Sequence, residues 1–439
     1  MKLSLWTWLA CHVASTFALS PRHPARNLKT RATAASNHTA YYFDQAIDHF
    51  PQSSRYARHS NGKFKQRYFV ETSYYKAGGP VFLYLAGEGP IDGDTHLDRT
   101  DTTARPPIQI HPTDELFFTT EQVIADFDVF ARKVTLPGLT DINAPSMPWI
   151  LYGGSYPGAL SAFTKKTAIH GQLEYPQWYD PISSSTEDCV ASINDIVDNM
   201  DYLVKSNNTA AIQQLKELFG LGALKDIQIN WDPTRGHIDF FDFCRNVTDG
   251  NAPANNTEAD SALAANTKGQ VWKNLGNYAA YIKRVVLPLC PSGDYNSGEC
   301  FGTQDTAHWA NTTSNYVRSY LYTTCTEFGA YQSAQPYGKK SLISRVIDAE
   351  YTQEWCNKAF PAGQYNSIPA TPDLDIWNAY GDFNFTAENL LFVDGTADPW
   401  KDLCYHSDLA PQRYWSDAYP QHLINGAGHV WDLRTLVGM

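Results

Sequence analysis

Basic residues are scarce in this chain, and that scarcity excludes a class of function. The first 31 residues carry five basic groups and no acidic one, and the rest holds 29 Lys and Arg against 46 Asp and Glu. A nucleic-acid binder needs a basic footprint to meet phosphates, so this balance rules that class out. Low-complexity tracts are absent too, while 12 Trp, 26 Tyr and 21 Phe are spread along the chain. That composition excludes a disordered protein. No CxxC or Cys/His spacing suggests zinc, and no internal repeat is found. After the N-terminal apolar run, no segment is long and apolar enough to span a membrane. What is present is 439 residues, enough for two or three ordinary domains or one large domain carrying an insertion.

Met1-Lys2 is followed by the apolar run Leu3 to Phe17, interrupted by His12. Thr16-Phe17-Ala18 or Ala18-Leu19-Ser20 places small residues at −3 and −1 of a cleavage site. A positive start, a short apolar core and small residues predict a secretory signal peptide over residues 1–20. The run is shorter than the ~20 residues of a membrane anchor. The protein is therefore expected to be secreted, or vacuolar or lysosomal by the same pathway. Six Asn-x-Ser/Thr sites follow, at Asn37, Asn207, Asn246, Asn255, Asn311 and Asn384, and predict surface glycosylation. Seven cysteines remain after cleavage: Cys189, Cys244, Cys290, Cys300, Cys325, Cys356 and Cys404. In an oxidising compartment most should pair, and the odd count leaves at least one thiol without an internal partner. Proximity alone points to Cys290 with Cys300 and Cys325 with Cys356.

Residues 21–40 are basic, then polar, and read as a flexible leader. Lys63 to Val70 alternates, with Phe64, Tyr68 and Val70 on one side, as a half-buried strand does. Val81-Phe82-Leu83-Tyr84-Leu85 and Trp149-Ile150-Leu151-Tyr152 are continuous apolar runs, the pattern of strands buried on both faces. Between them Thr119 or Thr120 can cap a helix with Val123, Ile124, Phe127, Phe130 and Val134 at helical spacing. From Ser185 the apolar residues Cys189, Val190, Ile193, Ile196, Val197, Met200, Leu203 and Val204 fall three or four apart. Ile212, Leu215, Leu218 and Phe219 repeat the pattern until Gly220, and helices are expected at 269–287 and 341–350. A strand pattern returns at Leu390-Leu391-Phe392-Val393 and again at Gln421 to Ile424. The expected fold is α/β, an α/β-hydrolase with an inserted helical cap. Residues 41–174 form its first part, 175–380 the cap and 381–439 its second part.

Ser155 lies between a strand and a helix in Gly153-Gly154-Ser155-Tyr156-Pro157-Gly158. A serine hydroxyl becomes a nucleophile only when a sharp turn projects it towards a base and backbone N–H groups can hold the oxyanion. A strand–Gly-x-Ser-x-Gly–helix elbow does this. Gly153 fills its first position, whereas Pro157 stands at the second with Gly158 behind it, and proline is tolerated in a helix's first turn. The Tyr156 N–H becomes one oxyanion donor by this geometry. The scaffold then needs an acid after a late strand and a histidine after the last one. Asp398, just past the strand at 390–393, and His429, 31 residues later, fit that order. Asp394 is a rival acid, although Asp-Gly is more often a turn. His422 is a rival base, but lies within the last strand rather than in the glycine loop after it.

With these residues in view, the chain resembles the prolyl carboxypeptidase / dipeptidyl peptidase II family of serine peptidases, which includes fungal acid prolyl endopeptidases. Phe43-Asp44-Gln45, Ile47-Asp48-His49-Phe50 and Gln66-Arg67-Tyr68 are similar to the family's opening. Gly78-Gly79-Pro80-Val81-Phe82-Leu83 with Gly87-Glu88 resembles its first buried strand and oxyanion-loop entry. Thr120-Glu121-Gln122-Val123 with Ala125-Asp126 resembles the helix before the nucleophile. The Ser155 elbow, Gly395 with Asp398-Pro399-Trp400, and Gly428-His429 with Asp432-Leu433 are similar to the nucleophile, acid and base motifs. The resemblance implies hydrolysis of proline-adjacent peptide bonds, often at acid pH, without metal or cofactor. It also implies a cap shaping a proline-accepting pocket and a second oxyanion donor near Gly87.

Two stretches of the family pattern have no counterpart here. Gly89 to Pro112 is short and polar where the family has a helix and a strand with an Arg-Tyr-Tyr-Gly-type stretch. Lys166 to His170 runs almost directly into Glu174-Tyr175-Pro176-Gln177-Trp178-Tyr179, a stretch resembling the start of the cap, where the family has a further strand. The fold is accordingly expected to lack parts of the central sheet. The expected function is a secreted serine-type peptidase acting on proline-containing peptides, with carboxypeptidase, dipeptidyl and endo modes all open. The alternatives are a catalytically impaired truncated homologue or splice form that only binds peptides, and an esterase on the same scaffold.

Overall fold

The computed structural model describes residues 39–85, 101–102, 115–165, 170–179, 187–220, 237–290, 293, 306, 309, 316–363, 367–385, 387–430 and 432. The first strands, β1 (Tyr41–Ala46) and β2 (Lys63–Phe69), pair antiparallel with Phe43 opposite Gln66. The alternation expected of β2 is present, with Phe64, Gln66 and Tyr68 buried. β3 (Val81–Leu85) and the two-residue β4 (Asp101–Thr102) follow, then helix α1 (Thr120–Lys133), strand β5 (Trp149–Tyr152) and helix α2 (Tyr156–Phe163). The strands form one sheet in the order β1-β2-β4-β3-β5, with β4 and β5 both parallel to β3.

Helix α1 begins where its cap allows. The Thr119 side chain accepts from the Gln122 backbone N–H, a cap that contributes about 1 kcal/mol. Arg132 and Lys133 occupy its last turn, the end where cations suit the helix dipole. Phe130 of α1 meets Phe43, Tyr68 and Trp149 edge-on. Val81, Leu83, Leu85, Phe127, Leu160 and Phe163 join the same buried cluster. A polar network ties the N-terminal segment to α1. Gln45 donates to Gln66 and to the Asp126 carbonyl, and Gln122 donates to Asp48, while His49 pairs with Asp126 at 2.7 Å.

The two apolar strands correct the expectation of burial on both faces. Phe82 and Ile150 are paired in register, yet they are 54% and 43% exposed. Their strand neighbours Val81, Leu83 and Leu85 are buried, because α2 packs against that side of β3 and β5. An apolar run therefore marks β3 as buried on one face only, while no residue of β5 is fully buried.

Beyond β6 (Gln172–Glu174) the chain turns helical: α3 (Glu187–Lys205), α4 (Thr209–Phe219), α5 (His237–Val247), α6 (Ala254–Ser261) and α7 (Leu275–Tyr281). α7 runs on through a π-helical turn, Ile282–Val286. The expected helix over 269–287 thus starts later, after Lys268, Gly269 and Asn274 at positive φ. α8 (Tyr316–Thr323), β7 (Gly329–Tyr331), α9 (Ala349–Ala359) and α10 (Leu374–Asn378) complete this region, and β7 pairs parallel with β6. The expected helix at 341–350 is absent. Ser341 and Ser344 hydroxyls bond the local backbone instead, the competition that disfavours helix. The helix begins only at Ala349, where the Asp348 side chain caps the Tyr351 N–H.

Disulfides join Cys189 to Cys244, linking α3 to α5, and Cys325 to Cys356, as proximity predicted for the latter. Cys290 is also disulfide-bonded, while Cys300, its expected partner, lies outside the described residues. Cys404 is a free thiol. Strands β8 (Phe392–Gly395) and β9 (Gln421–Ile424) pair parallel as a separate sheet. Among the described residues no ladder joins β8 or β9 to β5. No helix among them is long and apolar enough to cross a membrane.

Candidate active site

The turn from β5 into α2 holds Ser155 at φ 59° and ψ −136°, a conformation that costs a non-glycine residue about 1–3 kcal/mol. The following helix begins immediately, with the Ala159 N–H donating to the Ser155 carbonyl at 3.0 Å. Close packing explains the small residue before it. A Cβ on Gly153 would lie 2.6 Å from the Pro157 carbonyl carbon and oxygen. Pro157 sits in the first turn of α2, where its missing N–H leaves no helical bond unmade.

His429 stands in the loop after β9 and reaches both other candidates. Its Nε2 is 2.8 Å from Ser155 Oγ, and its Nδ1 is 2.9 and 3.0 Å from the two Asp398 carboxylate oxygens. Asp398 and His429 are each 5% exposed. This arrangement suits one tautomer, with Nδ1–H donating to the carboxylate and Nε2 accepting from the hydroxyl. The Trp400 backbone N–H donates to Asp398 Oδ1 at 2.8 Å, which fixes the carboxylate further.

The acid and base loops are interlocked. The Thr396 N–H donates to the Ile424 carbonyl and the Ala397 N–H to the Ala427 carbonyl. The Gly426 N–H donates to Thr396 Oγ1 at 2.7 Å. A Cβ on Gly395 would fall 2.2 Å from the Ala427 oxygen, so this crossing admits only glycine.

The rival residues lie elsewhere. Asp394 is taken by His406, whose Nδ1 lies 2.6 Å away and whose backbone N–H donates to the same oxygen. His422 is exposed on β9. Tyr156 opens α2, and its ring stacks on Trp377 with centroids 6.1 Å apart and meets Tyr320 edge-on. Gly87 lies outside the described residues, as do Asn37 and Asn311. Asn207, Asn255 and Asn384 are exposed, whereas Asn246 is half-buried in α5, its amide donating to the Asp242 carbonyl and accepting from Arg284. Among the described residues no group of three or more His, Cys, Asp or Glu could hold a metal ion.

Two titratable groups around the acid loop are held neutral. Burial, followed by the nearby carboxylates of Asp394, Asp398 and Asp402, pushes the Cys404 thiol well above its usual range. Burial likewise raises the Tyr175 phenol, reinforced by Asp402. Tyr175 and Trp377 pack beside this site as well. Tyr175 contacts Pro399, 224 positions away, and no local pattern signals a partner at such a distance.

A histidine bridging a serine and an aspartate on an α/β scaffold is the arrangement of a class, that of the serine-type hydrolases. The family model described as serine carboxypeptidase S28 matches residues 45–105 and 103–437. The chain belongs to that family of serine-type peptidases, whose fold is of the α/β-hydrolase type. It is 30% identical to a probable extracellular serine carboxypeptidase of Arthroderma benhamiae, over 88% of this chain and 62% of that protein. It is 26% identical to serine protease vicPa of Bipolaris victoriae, over 89% of this chain and 83% of that protein. A lysosomal Pro-X carboxypeptidase of Pongo abelii is 28% identical over 38% of this chain and 36% of its own length. The chain thus spans less than two thirds of the Arthroderma protein. That alignment runs over 452 residues, more than the chain's own 439, while using 88% of it. The relative therefore carries stretches with no counterpart here.

Proposed function

We propose that this chain is a secreted serine-type peptidase that hydrolyses proline-adjacent peptide bonds, with Ser155 as nucleophile, His429 as base and acid, and Asp398 as orienter. The observation that carries the proposal is the position of His429, within hydrogen-bonding distance of both Ser155 Oγ and the Asp398 carboxylate. As Ser155 Oγ attacks the scissile carbonyl carbon, its proton passes to His429 Nε2, and Asp398 stabilises the imidazolium. The Tyr156 N–H and a donor near Gly87 take the oxyanion. The C–N bond then breaks, and the leaving amine takes the proton from His429. A water adds to the acyl-enzyme by the same route in reverse and frees Ser155.

Proline as the recognised residue rests on the resemblance and on a relative named for Pro-X carboxypeptidase activity. Beside the nucleophile the half-buried Tyr156 packs against the buried rings of Trp377 and Tyr320. The helical region at 175–380 is our candidate for the cap. Secretion, or delivery to a vacuole or lysosome, accords with relatives named extracellular and lysosomal.

A second reading is a homologue that binds peptides without turning them over. The exposed Phe82–Ile150 pair, and the absence among the described residues of a ladder joining β8 or β9 to the main sheet, favour it. One experiment divides the readings: label the secreted protein with a fluorophosphonate probe, with Ser155→Ala as control. Labelling that disappears in the variant, followed by turnover of prolyl peptides, supports the peptidase. A folded protein that stays unlabelled leaves the binding reading, and turnover of simple esters alone leaves the esterase.

A further inference from the structure

The acid of the site rides on a short loop, and a side chain from a distant part of the chain grips that loop. Tyr175 is 1% exposed and directly follows β6. Its hydroxyl donates to the Pro399 carbonyl oxygen at 2.5 Å. Its ring lies almost parallel to that of Trp400, with centroids 5.5 Å apart and planes inclined by 12°. Trp400 in turn donates its backbone N–H to Asp398 Oδ1 at 2.8 Å. One phenol therefore holds the residues on the C-terminal side of Asp398 at two points, through polar contact and through stacking.

Tyr175 is anchored from its own side as well. Its backbone N–H donates to the Tyr331 carbonyl next to the β6–β7 ladder, which places Gln172 opposite Gly329 and Glu174 opposite Tyr331. The hold on the acid loop therefore comes from the junction between the first part of the fold and the helical region.

Resting on the proposed Ser155–His429–Asp398 reading, we infer that Tyr175 is a positioning residue of the catalytic acid. It keeps the Asp398-Pro399-Trp400 loop where the carboxylate accepts from both His429 Nδ1 and the Trp400 N–H. A loop freed from this grip lets Asp398 swing from the imidazole, and the imidazolium that forms during attack loses part of its stabilisation. A change of this kind reaches the chemistry through His429 and leaves peptide binding almost unaltered.

The test is Tyr175→Phe in the full secreted chain, a variant that keeps the ring and its stack on Trp400 and removes only the hydroxyl. Fluorophosphonate labelling rates at Ser155 are measured from pH 4 to pH 9, together with amide hydrogen exchange of the peptide covering 398–404. The expected result is labelling about 3- to 10-fold slower, the worth of one hydrogen bond. The acid limb of the profile should also move to lower pH, and exchange at Trp400 should be faster. An unaltered pH profile, even alongside a lower yield of folded protein, overturns the inference and leaves Tyr175 a packing residue. Faster exchange with an unaltered labelling rate overturns it too. If the wild-type chain itself is not labelled, the triad reading fails and the catalytic part of the inference falls with it. That outcome is distinguished from a failure of the inference alone because the wild-type measurement decides it.

Discussion

His429 Nε2 lies 2.8 Å from Ser155 Oγ across 274 residues of chain. The contact is made because β5 and α2 present the serine on a strained turn while the Gly395–Ala427 crossing presents the histidine. Both presentations depend on backbone approaching backbone closely, and each has a glycine at the point of approach.

The carboxylate's part can be tested by Asp398→Asn. The amide preserves shape but lets the imidazole adopt the wrong tautomer, which costs a serine triad about 10⁴-fold. Fluorophosphonate labelling should slow by at least about 10³-fold on that scale while the fold remains intact. A loss smaller than about tenfold would remove Asp398 from its assigned role.

Replacing Gly395 by alanine drives a methyl group into the Ala427 carbonyl, which would lie 2.2 Å away. Forcing this crossing apart should cost about 1–3 kcal/mol or more and move Asp398 away from His429. Denaturant unfolding and labelling should both be affected. A variant of wild-type stability and labelling rate would contradict the interlock.

The two faces of β3 should respond differently to mutation. Leu83 is buried in the main core, so Leu83→Ala should cost about 2–5 kcal/mol. Phe82 and Ile150 are largely exposed, and Phe82→Thr or Ile150→Thr should change stability by about 1 kcal/mol or less. Unfolding midpoints read the contrast directly, and equal losses on both faces would mean that the exposed face is covered in solution.

Acid should weaken the junction between the N-terminal segment and α1. Burial acts to raise the pKa of Asp48, but hydrogen bonds from His59, the Phe50 N–H and Gln122 outweigh it and the net shift is downward. A lowered carboxylate stabilises the fold above its unfolded pKa of about 3.9, and that contribution is lost as pH falls through the folded value. Between pH 5 and pH 2 the thermal midpoint of Asp48→Asn should therefore fall less steeply than that of the wild type. Parallel curves would show that Asp48 contributes nothing to the acid limb.

Some of this was legible in local sequence. A cap at Thr119 or Thr120, the periodicity from Cys189 to Val204 and the stop at Gly220 are each settled within a few residues, and the structure places the cap at Thr119. Glycine-bounded turns also surround Ser155, Asp398 and His429, where small residues permit a sharp bend. The helix expected at 341–350 failed for an equally local reason, since Ser341 and Ser344 divert backbone hydrogen bonds. The buried-strand reading of Phe82 and Ile150 failed for a different one. An apolar run reports what a strand can tolerate, whereas burial depends on what is packed over it.

The sequence by itself determined the order of elements, the Ser155 elbow and a short list of acids and bases, because backbone sterics and side-chain periodicity act over neighbouring residues. Only the tertiary structure decided that Asp398 rather than Asp394 meets His429, that His406 claims Asp394, and that Cys189 pairs with Cys244. It also decided that Tyr175 grips the loop at Pro399. These are contacts through space between residues far apart in the chain. Their energies depend on distances that packing sets, and no local pattern of residues encodes a distance.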